Sequence, residues 1–326
     1  MPASLLVVAE VADGTVTRLS LEVATLARTL AGQGGIEVSG LVVAADPAGP
    51  AAELADYLPT VHAVAAPTLA EVVPAGVTAA AVLERIDAGV THVFLGTSAD
   101  GRDVAGALVA LTGWGLLANA SAATWSEAGP EVQGVVLGGK VVTTYRLTAE
   151  RGIVTVRMGA VTAEAAPSAG TVVAAAAPAP NPALPAVKVV DRVEEAGAAV
   201  SLEDAKVIVV GGRGVGGPEG FELVSELAGL LGGVVAATRA SVDSGWIPYA
   251  RQIGQTGKTV KPRLYLGLGV SGAMQHRVGM QGSETIVIVN RDPDAPIREV
   301  ADLMVIGDLF EIGPALVAEL RTRAAG

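Results

Sequence analysis

From Val207 to Leu309 the chain repeats one pattern, a short apolar run that ends in small and polar residues. Val207-Ile208-Val209-Val210 runs into Gly211-Gly212-Arg213-Gly214, and Leu264 to Gly269 runs into Ser271-Gly272-Ala273-Met274-Gln275-His276. Thr285 to Val289 runs into Asn290-Arg291-Asp292, and Leu303 to Ile306 runs into Gly307-Asp308-Leu309. Each run has the length of a strand and is bounded by turn residues. In an open parallel sheet, ligands lie outside the carboxyl ends of the strands. The pattern therefore predicts one polar edge across which a large ligand can lie.

The first half alternates in a similar way. Strands are predicted at Leu5 to Ala9, Ile36 to Ala44, Val61 to Ala65 and His92 to Leu95. Between them, Ser20 to Leu30, Ala51 to Leu58 and Ala79 to Ile86 have helical spacing, the first through Leu19, Val23, Leu26 and Leu30. Such alternation predicts an α/β fold on a parallel sheet. Val104 to Ser126 predicts a buried helix followed by a turn. Val132 to Leu137, Val141 to Leu147 and Ile153 to Met158 are closely spaced and predict hairpin strands appended to that sheet. Ala166 to Val187 holds Pro167, Pro178, Pro180, Pro182 and Pro185 and predicts a semi-extended segment rather than a membrane span. The small and charged run Glu194 to Asp204 predicts the domain boundary. The expected organisation is an N-terminal α/β domain with added hairpins at 1–196. A doubly wound, flavodoxin-like or nucleotide-binding domain follows at 197–326.

Composition narrows the chemistry. The chain has 326 residues, enough for two domains with well-buried cores, and 41 glycines, which suit many strand-to-helix turns. A net charge of −11 argues against a nucleic-acid partner. The absence of Cys excludes disulfides, thiol redox chemistry, cysteine-ligated iron–sulfur clusters and c-type haem attachment. Any redox role must then rest on a bound organic cofactor. His62, His92 and His276 are scattered, so no metal spacing is present. Met1-Pro2-Ala3-Ser4 lacks the basic start of a signal peptide, which predicts a cytoplasmic protein.

Several motifs carry candidate chemistry. Gly212-Arg213-Gly214-Val215-Gly216-Gly217 matches G-x-G-x-x-G after a strand, which admits an NAD(P)-dependent oxidoreductase built on the turn at 211–217. Pro218 interrupts it, and Val234 to Ala237 ends in Thr238-Arg239 rather than in an acidic residue. A phosphate-contacting turn with Arg213 as donor fits these residues better. Gly254-Gln255-Thr256-Gly257-Lys258 is either a loop whose amides approach a ligand or a plain surface turn. Ser271-Gly272 is expected to open a helix and bind an anion, with His276 one turn inside. Arg239 either faces a ligand or pairs with Asp243. Gly269-Val270-Ser271-Gly272-Ala273 lacks the final Gly of a nucleophile elbow, so hydrolase chemistry is not indicated.

Taken in order, these blocks resemble the alpha subunit of electron transfer flavoproteins. They are Gly211-Gly212-Arg213-Gly214, Thr238-Arg239-Ala240-Ser241-Val242-Asp243 and Gln252-Ile253-Gly254-Gln255-Thr256-Gly257-Lys258. Leu268-Gly269-Val270-Ser271-Gly272-Ala273-Met274-Gln275-His276, Asn290-Arg291-Asp292-Pro293-Asp294-Ala295-Pro296-Ile297 and Gly307-Asp308-Leu309-Phe310 complete them. Thr238 stands where the family often has Ser, which keeps a hydroxyl. The resemblance implies one FAD on the second domain. It places Arg213 and the helix start at Ser271 toward the pyrophosphate, with Gly272, Ala273, Met274 and Gln275 also among the cofactor-binding residues. It places Arg239 over the isoalloxazine ring and Thr256 near flavin N5, with Thr238, Ile253, Gly254 and Gln255 also among the cofactor-binding residues. His276 falls at the N1/O2 edge and Asn290 and Asp308 at the adenosine end, with Leu309 also among the cofactor-binding residues. It implies a heterodimer with a beta subunit. The pair would carry electrons from flavin dehydrogenases, such as acyl-CoA dehydrogenases of fatty acid β-oxidation, to a quinone oxidoreductase, without turning over a substrate. A purely structural subunit is the remaining reading.

Overall fold

The computed structural model describes residues 3–137, 141–179, 181–184, 187–191, 202 and 205–324. The chain divides into two compact units, Met1–Glu194 and Glu195–Gly326. The expected break between residues 196 and 197 lies outside the described residues.

The first unit opens with β1 (Ser4–Ala9), the short hairpin β2 (Val11–Ala12) and β3 (Thr15–Val16), α1 (Arg18–Gly34) and β4 (Glu37–Ala44). It continues through α2 (Ala48–Ala55), β5 (Thr60–Ala65), α3 (Pro74–Asp87), β6 (His92–Gly96) and α4 (Ala99–Thr112). Then come β7 (Gly115–Ala120), β8 (Ala122–Ser126), β9 (Gly129–Val136), β10 (Val141–Arg146), β11 (Gly152–Val156) and β12 (Thr171–Ala175). Seven strands form a parallel sheet in the order β12-β5-β4-β1-β6-β11-β7. Alternate residues of β1 feed opposite faces. Leu5 and Val7 pack with Val23, Leu26, Leu30 and Phe94, whereas Leu6 and Val8 pack with Val82, Leu95, Val104 and Leu108. A sheet covered on both faces needs strands that are apolar throughout, which is why these runs read so clearly.

Three expectations are corrected here. Ile153 to Met158 is not a hairpin strand: Gly152–Val156 is buried at every position and inserts between β6 and β7 in the parallel sheet. The appended antiparallel sheet is instead β10-β9-β8. The turn expected after the helix of 104–126 is strand β7 followed by β8. The proline-rich segment includes an edge strand, β12, paired with β5 from Thr171↔Thr60 to Ala175↔Val64. Edge strands tolerate neighbouring prolines because one side of the ladder needs no donors.

The second unit contains β13 (Val207–Gly211), α5 (Gly220–Leu230), β14 (Val234–Thr238), α6 (Arg239–Asp243), β15 (Gln252–Ile253) and β16 (Leu264–Leu268). It ends with α7 (Met274–Arg277), β17 (Ile286–Asn290), β18 (Leu303–Ile306) and α8 (Leu309–Ala324). Its six strands are all parallel in the order β15-β14-β13-β16-β17-β18. Counted along the unit this is 3-2-1-4-5-6, the nucleotide-binding alternative of the expected doubly wound fold. The order reverses between β13 and β16, which is where such folds bind ligands.

The turns leaving β13 and β16 meet backbone to backbone at that point. Gly212 N–H donates to Leu268 O at 2.9 Å, and Gly214 N–H donates to Gly269 O at 3.1 Å. A Cβ on Gly269 would lie 2.6 Å from Gly214 Cα, and Gly269 has φ +63°. Side chains are excluded here by both space and backbone conformation. Gly269→Ala is expected to destabilise the second unit by about 2 kcal/mol or more, combining left-handed strain with a backbone clash. Gly229→Ala, in α5 with nothing within 4 Å of the new Cβ, should be neutral or stabilising by up to about 1 kcal/mol. Urea unfolding of the two variants checks the contrast, and equal effects would refute it.

Candidate functional site

The carboxyl ends of β13, β14, β15, β16, β17 and β18 bring the residues singled out in the second unit onto one edge. Arg213 is exposed in a single helical turn after β13. Gly214, one residue further, is bonded to Gly269 after β16, so the Arg213 turn and the Ser271 loop are neighbours. Asn290, closing β17, reaches back to that loop: its Nδ2 donates to Val270 O at 2.9 Å. Its Oδ1 accepts from Asp292 N–H at 3.0 Å. Gly307 N–H donates to Asn290 O at 3.1 Å, which places Asp308 beside it. Asp308 accepts from Phe310 N–H at 2.8 Å as the start of α8, whose first residue, Leu309, is buried.

The Ser271 loop departs from expectation. The helix begins at Met274 and is one turn long, so Ser271, Gly272 and Ala273 precede it rather than open it. The amides of these three residues have no hydrogen-bond partner among the described residues. Gly272 has φ +80°, and a Cβ there would lie 2.3 Å from Ile297 N. Ile297 N–H in turn donates to Ser271 O at 3.1 Å. The loop is thus pinned on its carbonyl side and open on its amide side, which suits an anion.

At the other end of the edge, Thr238 and Ile253 are register partners of β14 and β15. Thr238 Oγ1 lies 3.3 Å from Ser241 Oγ. Arg239 pairs with Asp243 at 3.2 Å, and both are more than 60 % exposed, so the pair is worth only about 0.3–0.5 kcal/mol. Gly254, with φ +142°, starts a loop that packs on α7. A Cβ there would lie 2.9 Å from Gln275 O, and Gln255 N–H donates to Gln275 O at 2.7 Å. Gln255, Thr256, Ser271, Ala273, Met274 and Gln275 are all exposed along this ledge.

His276 is buried beneath it. Its Nδ1 lies 3.0 Å from Ile253 O, and its Nε2 lies 2.7 Å from Tyr265 Oη. A carbonyl only accepts, so Nδ1 carries the proton and Nε2 accepts from the Tyr265 hydroxyl. Burial lowers the His276 pKa to about 4, against a smaller upward effect of the Ile253 bond. The imidazole is neutral at pH 7. The expectation of a histidine one turn inside a helix is corrected: His276 is the third residue of a four-residue helix and is held by this pairing.

Three polar residues to which the sequence assigns no site role join the site. Tyr265 is the hydroxyl inside an otherwise apolar strand, and a buried Tyr must find a partner, which was the available signal. Gln252 Nε2 donates to Thr256 Oγ1 at 3.0 Å, and the Tyr249 hydroxyl donates to Thr256 O. A separate cavity of about 720 Å³ lies within the first unit, lined in part by His92, Trp125, Glu127, Arg146 and Arg151. None of the predicted site residues lines it.

The free amides, guanidinium, hydroxyls and carboxylate of the edge form a donor and acceptor set that fits an anionic dinucleotide such as FAD.

The His276 pairing makes stability pH-dependent. An unfolded His titrates near 6.5 and the folded one near 4, so the stabilisation is complete above pH 6.5 and is lost as pH falls toward 4. Between pH 7 and 4.5 the second unit of the wild type should lose about 2–3 kcal/mol that His276→Gln does not lose. Denaturant unfolding of both proteins at the two pH values measures this, and parallel losses would refute it.

Comparison with known proteins places this geometry. A family model described as the electron transfer flavoprotein domain matches residues 5–182, and one described as the electron transfer flavoprotein FAD-binding domain matches residues 201–281. The electron transfer flavoprotein subunit alpha of Mycobacterium leprae (strain TN) is 40% identical over 332 residues, covering 98% of this chain and 99% of that protein. The subunit alpha of Mycobacterium tuberculosis (strain ATCC 25618 / H37Rv) is 40% identical over 328 residues, with the same coverage. That of Thermoanaerobacterium thermosaccharolyticum is 54% identical over 134 residues, 41% of each chain. No helix among the described residues is long and apolar enough to cross a membrane. The chain belongs to the electron transfer flavoprotein alpha-subunit family, and its second unit carries that family's FAD-binding domain.

Proposed function

We propose that this chain is the FAD-carrying subunit of a cytoplasmic, two-subunit electron carrier. It takes electrons from flavin dehydrogenases, such as acyl-CoA dehydrogenases of fatty acid β-oxidation, and passes them to a quinone oxidoreductase. The observation that carries this reading is the single ledge of exposed polar groups at the strand-order reversal, in a chain of this family. An NAD(P)-dependent enzyme built on the 211–217 turn gains no support from the end of β14, which has Thr238-Arg239 in place of an acidic residue. The bound flavin supplies the one- and two-electron chemistry.

The chain's residues bind and tune. Arg213 and the amides of Ser271, Gly272 and Ala273 hold the pyrophosphate, with Met274 and Gln275 beside it. Asn290 and Asp308 hold the adenosine end over Leu309. Each keeps polar capacity beyond its own bonds, a second Nδ2 proton on Asn290 and a second carboxylate oxygen on Asp308. Thr238, Ile253, Gly254 and Gln255 shape the ring's seat, Thr256 faces N5, and Arg239 lies over the ring. His276 supports the pyrimidine end from beneath, as a neutral imidazole whose two nitrogens are held by Ile253 and Tyr265.

Arg239 sets the electrostatic part of the tuning. One unit charge at 4 Å and an effective dielectric of about 20 is worth ~4 kcal/mol, or ~170 mV for one electron. Exposure and the Asp243 carboxylate reduce this to tens of millivolts. Arg239→Ala should lower the first one-electron potential by that amount, Arg239→Lys should retain part of it, and Asp243→Asn should raise it. Potentiometric titration decides, and an unchanged potential in Arg239→Ala with FAD bound would make the Arg structural.

The functional unit is a heterodimer with a beta subunit, holding one FAD on residues 197–326. Sedimentation of the native protein should give a two-subunit species that carries flavin absorbance and is reduced by an acyl-CoA dehydrogenase with its substrate. A stable FAD-loaded monomer would count against it.

A further inference from the structure

Thr256 sits on an exposed loop, where a threonine hydroxyl ordinarily turns to donate to a nearby backbone carbonyl. Here it does not. A hydroxyl has one proton and two lone pairs. One lone pair is occupied by Gln252 Nε2 at 3.0 Å, and the proton has no acceptor among the described residues. Gln252 is well placed to enforce this. It is 2 % exposed and paired with Ala237 across β14 and β15, and its carbonyl accepts from Lys258 N–H at 2.8 Å. The loop between is closed by Gly254 N–H donating to Lys258 O at 3.1 Å and Gly257 N–H donating to Gly254 O at 3.0 Å. From the solvent side, the Tyr249 hydroxyl holds the Thr256 carbonyl.

We propose that Gln252 and Tyr249 are positioning residues that fix Thr256 as a hydrogen-bond donor toward the flavin ring, Gln252 by filling the acceptor side of its hydroxyl and Tyr249 by anchoring its carbonyl. The inference rests on the placing of Thr256 beside the ring. It adds that the donor role is imposed from behind by a buried amide. Neither positioning residue needs to touch the ligand. Pre-orientation of this kind removes the rotamer cost of forming the bond and excludes the competing intraloop bond.

The test uses the FAD-loaded heterodimer as wild type, Thr256→Val, Gln252→Met, Tyr249→Phe, and the last two each combined with Thr256→Val. Two quantities are read: the FAD dissociation constant, and the band positions of the bound oxidised flavin. Thr256→Val should weaken FAD about fivefold, the worth of one hydrogen bond, and shift the bands. Gln252→Met, close in shape but without a donor, should reproduce most of both effects. In the Thr256→Val background it should add nothing, because residues acting through one hydroxyl are not additive. Tyr249→Phe should give a smaller loss that also vanishes in that background. Tyr249 is 62 % exposed, so this variant tests the idea even if the Gln252 variant fails to fold. Wild-type behaviour of Gln252→Met, or an equal cost in both backgrounds, would overturn the positioning role while leaving Thr256 in place. Wild-type behaviour of Thr256→Val would overturn the placing of Thr256 itself, and the positioning role with it.

Discussion

The second unit depends on one close backbone contact. Gly212 and Gly214 leave β13, Gly269 leaves β16, and the two turns are bonded through main-chain atoms with no room for a Cβ between them. The contact lies where the strand order reverses, so it sets how far apart the Arg213 turn and the Ser271 loop can be. A side chain at any of these three glycines would push the two turns apart. Their functional requirement is therefore spacing rather than flexibility.

Tertiary pairing sets the chemistry of the remaining half of the edge. His276, Tyr265 and Ile253 come from α7, β16 and β15 and meet in one buried chain of two hydrogen bonds. That chain holds the short α7 turn against β15, and the loop at Gly254–Lys258 rides on the same two elements. It also determines charge. A neutral imidazole costs little to bury, whereas an imidazolium there would be desolvated with no carboxylate beside it among the described residues.

How much of this the sequence reveals depends on whether a residue's environment is local. The strands of both parallel sheets are legible because burial on two faces demands continuous apolar runs, as in Val207–Gly211 or His92–Gly96. Gly152–Val156 is equally apolar, but proximity to two hairpin strands suggests the wrong partners; its pairing with β6 spans about 60 residues and leaves no local trace. Gly115–Ala120 is hidden by Asn119, which has φ +59° at an irregularity opposite Val154–Val156. The polar strand ends of the site are legible for the same reason as the strands they terminate. The Arg239–Asp243 pair is a spacing of four and was open to reading in advance. The Tyr265–His276 and Gln252–Thr256 bonds were not, because each depends on where a loop folds back.

These two classes of contact divide the labour of a redox site. Charge is confined to the rim: Arg213 and Arg239 are exposed, and solvent and Asp243 weaken the field of Arg239. The buried ring nitrogens of His276 are tied up and uncharged at neutral pH. Fine control on this reading falls to neutral donors, and the Thr256 hydroxyl, which accepts from Gln252 and has no acceptor for its own proton among the described residues, is such a donor. A neutral donor is unaffected by salt, whereas the field of a surface cation is screened by it. A carrier built this way keeps much of its tuning when ionic strength changes, and the part it loses is the part contributed by Arg239.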